Sequence, residues 1–189
     1  PNALGSWYRD NVLMDVVPFV DKDGVEQGDQ GKNRRPRDHG RDYADTSIYP
    51  ETAEIRRRWL DDDAQRPHVI FDLHCPYIAG NHNEHAYFVG NKCNWTELEV
   101  FSPILERTCG GPLPFYAANN LPFGQAWNTG ANYVEGRSLA AAAQGLPGVR
   151  LAASLEIPYA NCEGVEVTPE ACRAFGRDLA KSIRSYFEL

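Results

Sequence analysis

Phe71-Asp72-Leu73-His74 decides how this chain is read, together with Ser154-Leu155-Glu156-Ile157-Pro158 far downstream. Each is a short apolar run of the kind that forms a buried strand, and each ends on a residue able to do chemistry. The first closes the run Val69 to Leu73. The second closes Val149 to Ile157, which follows the turn Gly145-Leu146-Pro147-Gly148. Asp72 and His74 are two apart, so on a strand both side chains lie on one side. The carboxylate can then fix the tautomer of an imidazole that serves as a metal ligand. The pair reads equally as a core histidine satisfied by its neighbour. Glu156, at the end of an apolar strand, has to be solvated in a cleft or paired with a cation. In a cleft it can act as a general base; beside one of the arginines it is an ion pair.

Working outward, the pattern alternates strands with helices. Pro50-Glu51 opens a helix to about Leu60, with proline in the first turn and Glu51 and Glu54 at the positive end. Asn94 is placed to cap a second through about Arg107, with Leu98, Phe101 and Leu105 on one face. Thr168-Pro169-Glu170 starts a last helix, in which Phe175, Leu179 and Ile183 recur at four-residue intervals. Val12 to Val20 is expected to form a further buried strand ending in a turn at Asp21-Lys22-Asp23-Gly24, and Ala86 to Val89 a shorter one. Gly28 to Tyr49 and Gly110 to Gly130 read as long loops, and loops of such length in compact domains are usually functional or disordered. The expected architecture is an α/β fold. It forms a single domain over residues 1–189, with a mixed, largely parallel central sheet flanked by helices.

With 189 residues and 42% hydrophobic content the chain can bury a sizeable core. Its net charge of −7 argues against nucleic acid or an anionic membrane surface as a partner. No apolar stretch approaches the ~20 residues a membrane helix needs, and no signal peptide is present. Five cysteines without CxxC spacing argue against a cysteine zinc site. Neither they nor the N-terminus, which begins at Pro1, indicates a compartment. Against the acidic background, Arg34, Arg35, Arg37 and Arg41 cluster in one loop, punctuated by Asp38 and Asp42. Guanidinium forks bind carboxylates bidentately, so this loop can cradle a peptide's terminal carboxylate, or its charges can pair and pin the loop. His82 and His85 are three apart, which on a strand sends them to opposite faces. Cys75, next to His74, likewise points away from it and is not expected to be catalytic.

In their order along the chain, these segments resemble the carboxypeptidase A-like zinc metallocarboxypeptidases. The order runs from Pro18-Phe19-Val20-Asp21-Lys22-Asp23-Gly24 through the arginine loop, the Pro-Glu helix and the strand to His74, and on to the late Glu156. The resemblance implies a zinc-dependent hydrolase that removes C-terminal residues from peptides with a free carboxylate. It implies His74 as a zinc ligand, Glu156 as the base that activates a metal-bound water, and Arg34 as the group that polarises the scissile carbonyl. It further implies Asp38 as orienting an early zinc-binding histidine, Arg41 as holding the terminal carboxylate, and Tyr133 as the tyrosine that closes over substrate. Two departures stand out. Gly40 replaces an asparagine that would help Arg41, and no His-x-x-Glu occurs in the chain. By the resemblance that motif would lie upstream of Pro1, so the chain is expected to be the C-terminal portion of a longer catalytic domain, or else a relative that has lost its metal. The alternatives are an amidase or deglutamylase acting on cell-wall or side-chain-linked glutamate, and a metal-free carboxylate-binding pseudoenzyme.

Overall fold

Val69–His74 (β1) lies parallel to Leu151–Glu156 (β3), and Tyr87–Val89 (β2) runs antiparallel on the other side of β3, giving the order β1-β3-β2. The computed structural model describes residues 2–29, 31–134 and 136–189. The sheet is mixed, as expected, but not largely parallel. After His74 the chain doubles back through a turn at Tyr77–Gly80, closed by the Gly80 amide on the Tyr77 carbonyl, and so enters the sheet in reverse.

The period-two alternation of β1 and β3 sorts their side chains onto two faces. Val69, Phe71, Leu151, Ala153 and Leu155 face Trp95–Thr108 (α4) and Pro169–Phe187 (α6), meeting the fully buried Leu98, Phe101 and Leu105. Burying one such side chain stabilises the fold by roughly 1.5–3 kcal/mol. Ile70 and Ala152 face the other way, against Ile55 of Pro50–Trp59 (α3) and Leu139 and Ala143 of Leu139–Ala143 (α5), with Tyr43 from the arginine loop. Helices thus cover both faces, an α/β arrangement.

Local chemistry sets the helix starts. Pro50 occupies the first turn of α3, and the Thr168 hydroxyl accepts the Ala171 amide to open α6. Asn94 stands at the cap position of α4, but its side chain is used differently from expectation. Its amide donates to the Ala152 carbonyl at 2.9 Å and its oxygen accepts from the Asn91 amide, so it ties α4 to β3.

Two further expectations are corrected. Val12 to Val20 is not a strand: it has no regular structure, and Leu13, Val16 and Phe19 are 95%, 68% and 58% exposed. An apolar run becomes a strand only where another strand offers hydrogen bonds, and among the described residues none pairs with it. The Asp21–Gly24 turn is instead the start of a short helix, Lys22–Gln27 (α2), capped by the Asp21 carboxylate on the Gly24 amide. An N-terminal helix, Ala3–Asn11 (α1), capped by Asn2, and a small hairpin of Asn161–Cys162 (β4) and Val165–Glu166 (β5) complete the elements. Among the described residues no helix is long and apolar enough to cross a membrane.

Candidate functional site at the carboxyl ends of β1 and β3

The register of the parallel pair sets His74 opposite Glu156, and the antiparallel pair sets Glu156 opposite Tyr87. Facing partners on a ladder share a face. His74, Glu156 and Tyr87 therefore form a row across three strands, with Asp72 two residues behind His74 on the same side. The row lies where the apolar face of Ile70 and Ala152 runs out at the strands' carboxyl ends, the usual place for a site in open α/β sheets.

The Asp72 carboxylate stands 3.0 Å from His74 Nε2. Its negative charge raises the imidazole pKa to about 9, against the opposing effect of burial. Burial pushes the Asp72 carboxyl up in turn, but the charge and hydrogen bond of His74, with Arg41 nearby, hold it below the usual carboxylate range. Glu156 is shifted the other way. Burial raises its pKa, the facing His74 charge only partly offsets this, and Asp72 adds to the rise. Glu156 is 8% exposed, and its Oε2 is buried without a hydrogen-bond partner. A buried carboxylate oxygen with no donor is costly to the fold, and such atoms concentrate where a ligand or a proton completes the set.

Arg41 reaches this row from a 3-10 turn, His39–Arg41, started by Asp38, whose carboxylate accepts the Gly40 amide at 2.8 Å. The turn abuts the imidazole: a Cβ at Gly40 would stand 3.4 Å from His74 Cε1. The glycine that removes a donor is thus also the residue against which His74 rests. The Arg41 guanidinium donates Nε to the Asn132 carbonyl and Nη1 to the Gly40 carbonyl, and it lies 5.4 Å over the Tyr133 ring. Tyr133 donates its hydroxyl to Asn128, which is fully buried and bonded to the Gly90 and Leu121 carbonyls. Gly136 makes this approach possible. At φ +149° a Cβ there would sit 2.1 Å from the Arg41 carbonyl oxygen. Arg41 takes part in no salt bridge among the described residues.

Of the residues singled out in the sequence, His74, Glu156, Asp72, Arg41 and Tyr133 are brought together. Asp38 belongs to the same turn but serves the Gly40 amide rather than a histidine. Arg34 is engaged elsewhere: its Nε and Nη2 form a two-point bridge to Asp21, both at 2.7 Å, and Nη1 reaches Asp29 at 3.2 Å. His82 and His85 do not share a ligand point. Their rings are 6.3 Å apart, and His85 Nδ1 is 2.5 Å from Glu163. All five cysteines are free. Sequence reasoning passed over Lys32, whose ammonium stands 5.9 Å over the Trp127 ring, and Tyr87, which hydrogen-bonds Trp127 beside Glu156. Tyr87 comes level with the row through the register of β2 on β3, which the sequence does not reveal.

His74, with Nε2 toward Asp72, fits a single metal ligand held in orientation by a carboxylate. Among the described residues no group of three His, Cys, Asp or Glu side chains gathers to hold a metal ion, so the chain's own donor set does not make a zinc site. Comparison of the chain with protein-family models finds no match, and comparison with curated proteins finds none.

Proposed function

We propose that the chain carries the base and the carboxylate anchor of a zinc-dependent hydrolase that releases C-terminal residues from peptides. The observation that carries this reading is Glu156: a buried carboxylate with a raised pKa and one unpartnered oxygen, facing His74 across the strand pair. Such a carboxylate accepts a proton from an attacking water and returns it to the leaving amine, the two-way role of a general base. Arg41, whose charge acts on Glu156, keeps its Nη2 free of hydrogen-bond partners among the described residues, suited to a substrate's terminal carboxylate. A zinc ion would supply a Lewis acid and an acidified water. His74 is the ligand this chain offers, and the others would come from polypeptide beyond these 189 residues.

The test combines zinc content by elemental analysis with release of amino acids from peptides bearing free or amidated C-termini and from glutamyl-linked cell-wall fragments. Glu156→Gln should abolish turnover while leaving the fold intact; full activity in that variant would sink the assignment. Hydrolysis confined to the cell-wall fragments would move the reading to an amidase or deglutamylase. The absence of a three-ligand group among the described residues favours a second reading, a metal-free module that binds carboxylate-ended ligands through Arg41. Ligand binding with neither zinc nor turnover identifies that case.

A further inference from the structure

Two arginines of the long loop are spent in ion pairs within the fold. Arg34 is bridged to Asp21 and Asp29, and Arg37 to Asp42. Two cations are set apart by position: Arg41 and Lys32 both act on Glu156 through their charge, and neither forms a salt bridge among the described residues. They rest on different aromatic rings. Arg41 rests on Tyr133 on the side of the His39–Arg41 turn. Lys32 rests over Trp127, which is hydrogen-bonded to Tyr87, the residue facing Glu156 from β2. Aromatic faces under both cations hold them in place without neutralising them. The arrangement leaves two separate positive groups around one buried carboxylate, with the Asp72–His74 pair already balanced between its own members.

We infer that Lys32 is a second anion-binding residue of the site, and that the favoured ligand carries two carboxylates, one for Arg41 and one for Lys32: a chain ending in glutamate or aspartate. This rests on the reading of Arg41 as the terminal-carboxylate anchor and adds the identity of the terminal residue to it. A single fork would bind any free C-terminus alike. The second charge, set apart on its own aromatic support, is what separates an acidic terminal side chain from a neutral one. The lysine is exposed, so its contribution is a preference rather than an absolute requirement, and salt weakens it.

Binding of N-acetyl-glutamate and N-acetyl-glutamine, equal in shape and one charge apart, tests this without relying on turnover. Calorimetry on the purified chain at low salt should favour N-acetyl-glutamate by about fivefold, the upper range for a pair formed in water. Lys32→Met should bring the ratio to about one, and Lys32→Arg should restore it. Arg41→Ala should weaken both probes together. Equal affinity of the wild-type chain for the two probes, or a preference that survives Lys32→Met, overturns the inference while leaving the Arg41 anchor standing. Loss of nothing on Arg41→Ala, or no binding of either probe, overturns the anchor and the inference with it.

Discussion

Two histidines of this chain sit between acidic groups, and they have opposite characters. His39 is buried. Its Nε2 is 2.8 Å from Glu51, its Nδ1 faces Asp21 at 3.5 Å, and Tyr49 stacks on its ring at 3.8 Å. Arg34 closes the same cluster through Asp21, whose carboxyl its hydrogen bonds hold below the usual range. Next to it Asp42 is fully buried and accepts from the Ile48 and Tyr49 amides, the Thr52 hydroxyl and Arg37. Nearly every charged group there has an ion-pair partner, although His39 Nδ1 itself makes no hydrogen bond. At His74 the accounting stops short: Glu156 keeps an unpartnered oxygen, and Arg41 keeps its guanidinium free of carboxylates. Similar residue types build an anchor in one place and an open site in the other. What distinguishes them is whether the opposite charges have been used up.

The sharpest way to break this contrast is at Glu156. Glu156→Gln should lower kcat by about 10²–10⁴, the worth of a general base, without lowering the melting temperature, because it removes a buried charge that the fold holds at a cost. A variant that unfolds would place Glu156 with the anchors. Asp42→Ala should do the reverse, destabilising the chain by about 3 kcal/mol or more because it strands Arg37 and several buried donors. Denaturant titration measures it.

Acid should separate the two carboxylates as well. Burial pushes the Asp42 carboxyl up, but the Thr52 hydroxyl, the two amides and Arg37 outweigh it and hold its pKa down. Its folded value thus lies below its unfolded one. The stabilisation is full above the unfolded value near 3.9, and it is lost as pH falls through the depressed one. Glu156 has the opposite sign: its raised value means that protonation relieves the folded state. Comparing the acid limb of stability in Asp42→Asn and Glu156→Gln should show it flattened by the first and not by the second.

Arg41→Ala should weaken carboxylate ligands by about ten- to a hundredfold, as expected for a hydrogen bond to a charged group, with little change in melting temperature. The smallest effect on chemistry belongs to Arg34→Ala. With the guanidinium bridged to Asp21, its loss should loosen α2 and the arginine loop and alter kcat far less than Glu156→Gln does. A kcat loss as large as that of Glu156→Gln would show that Arg34 leaves Asp21 to act on substrate.

Much of the frame was legible because its signals are local. Pro50 and Thr168-Pro169 mark helix starts, and the apolar run of β3 is buried nearly throughout, whereas β1 buries only Ile70 fully and leaves Leu73 exposed. The same kind of run misled at Val12 to Val20, since composition does not reveal whether a partner strand is present. α1 went unread because Ala3–Asn11 carries a weak apolar stripe and buries nothing fully. In the site, the Asp72–His74 pair followed from strand periodicity alone. The fate of Arg34 did not: Asp21 lies in a different segment, and only the folding of α2 beside the loop decides which arginine is spent and which is left. Lys32 was hidden for the same reason, since its aromatic support, Trp127, comes from a loop far along the chain.

The exposed stretch from Leu13 to Phe19 has a consequence for handling the protein rather than for its chemistry. It forms an oily ribbon on an otherwise acidic particle, with Val16 and Val17 beside Ile55 and Trp59 of α3. The net charge of −7 opposes the approach of two such ribbons. Concentrated salt, or a buffer near the isoelectric point of about 5.2, removes that repulsion. Clumping of the chain should therefore follow ionic strength and pH, and a Leu13→Lys or Val16→Lys change should cure it without touching Glu156.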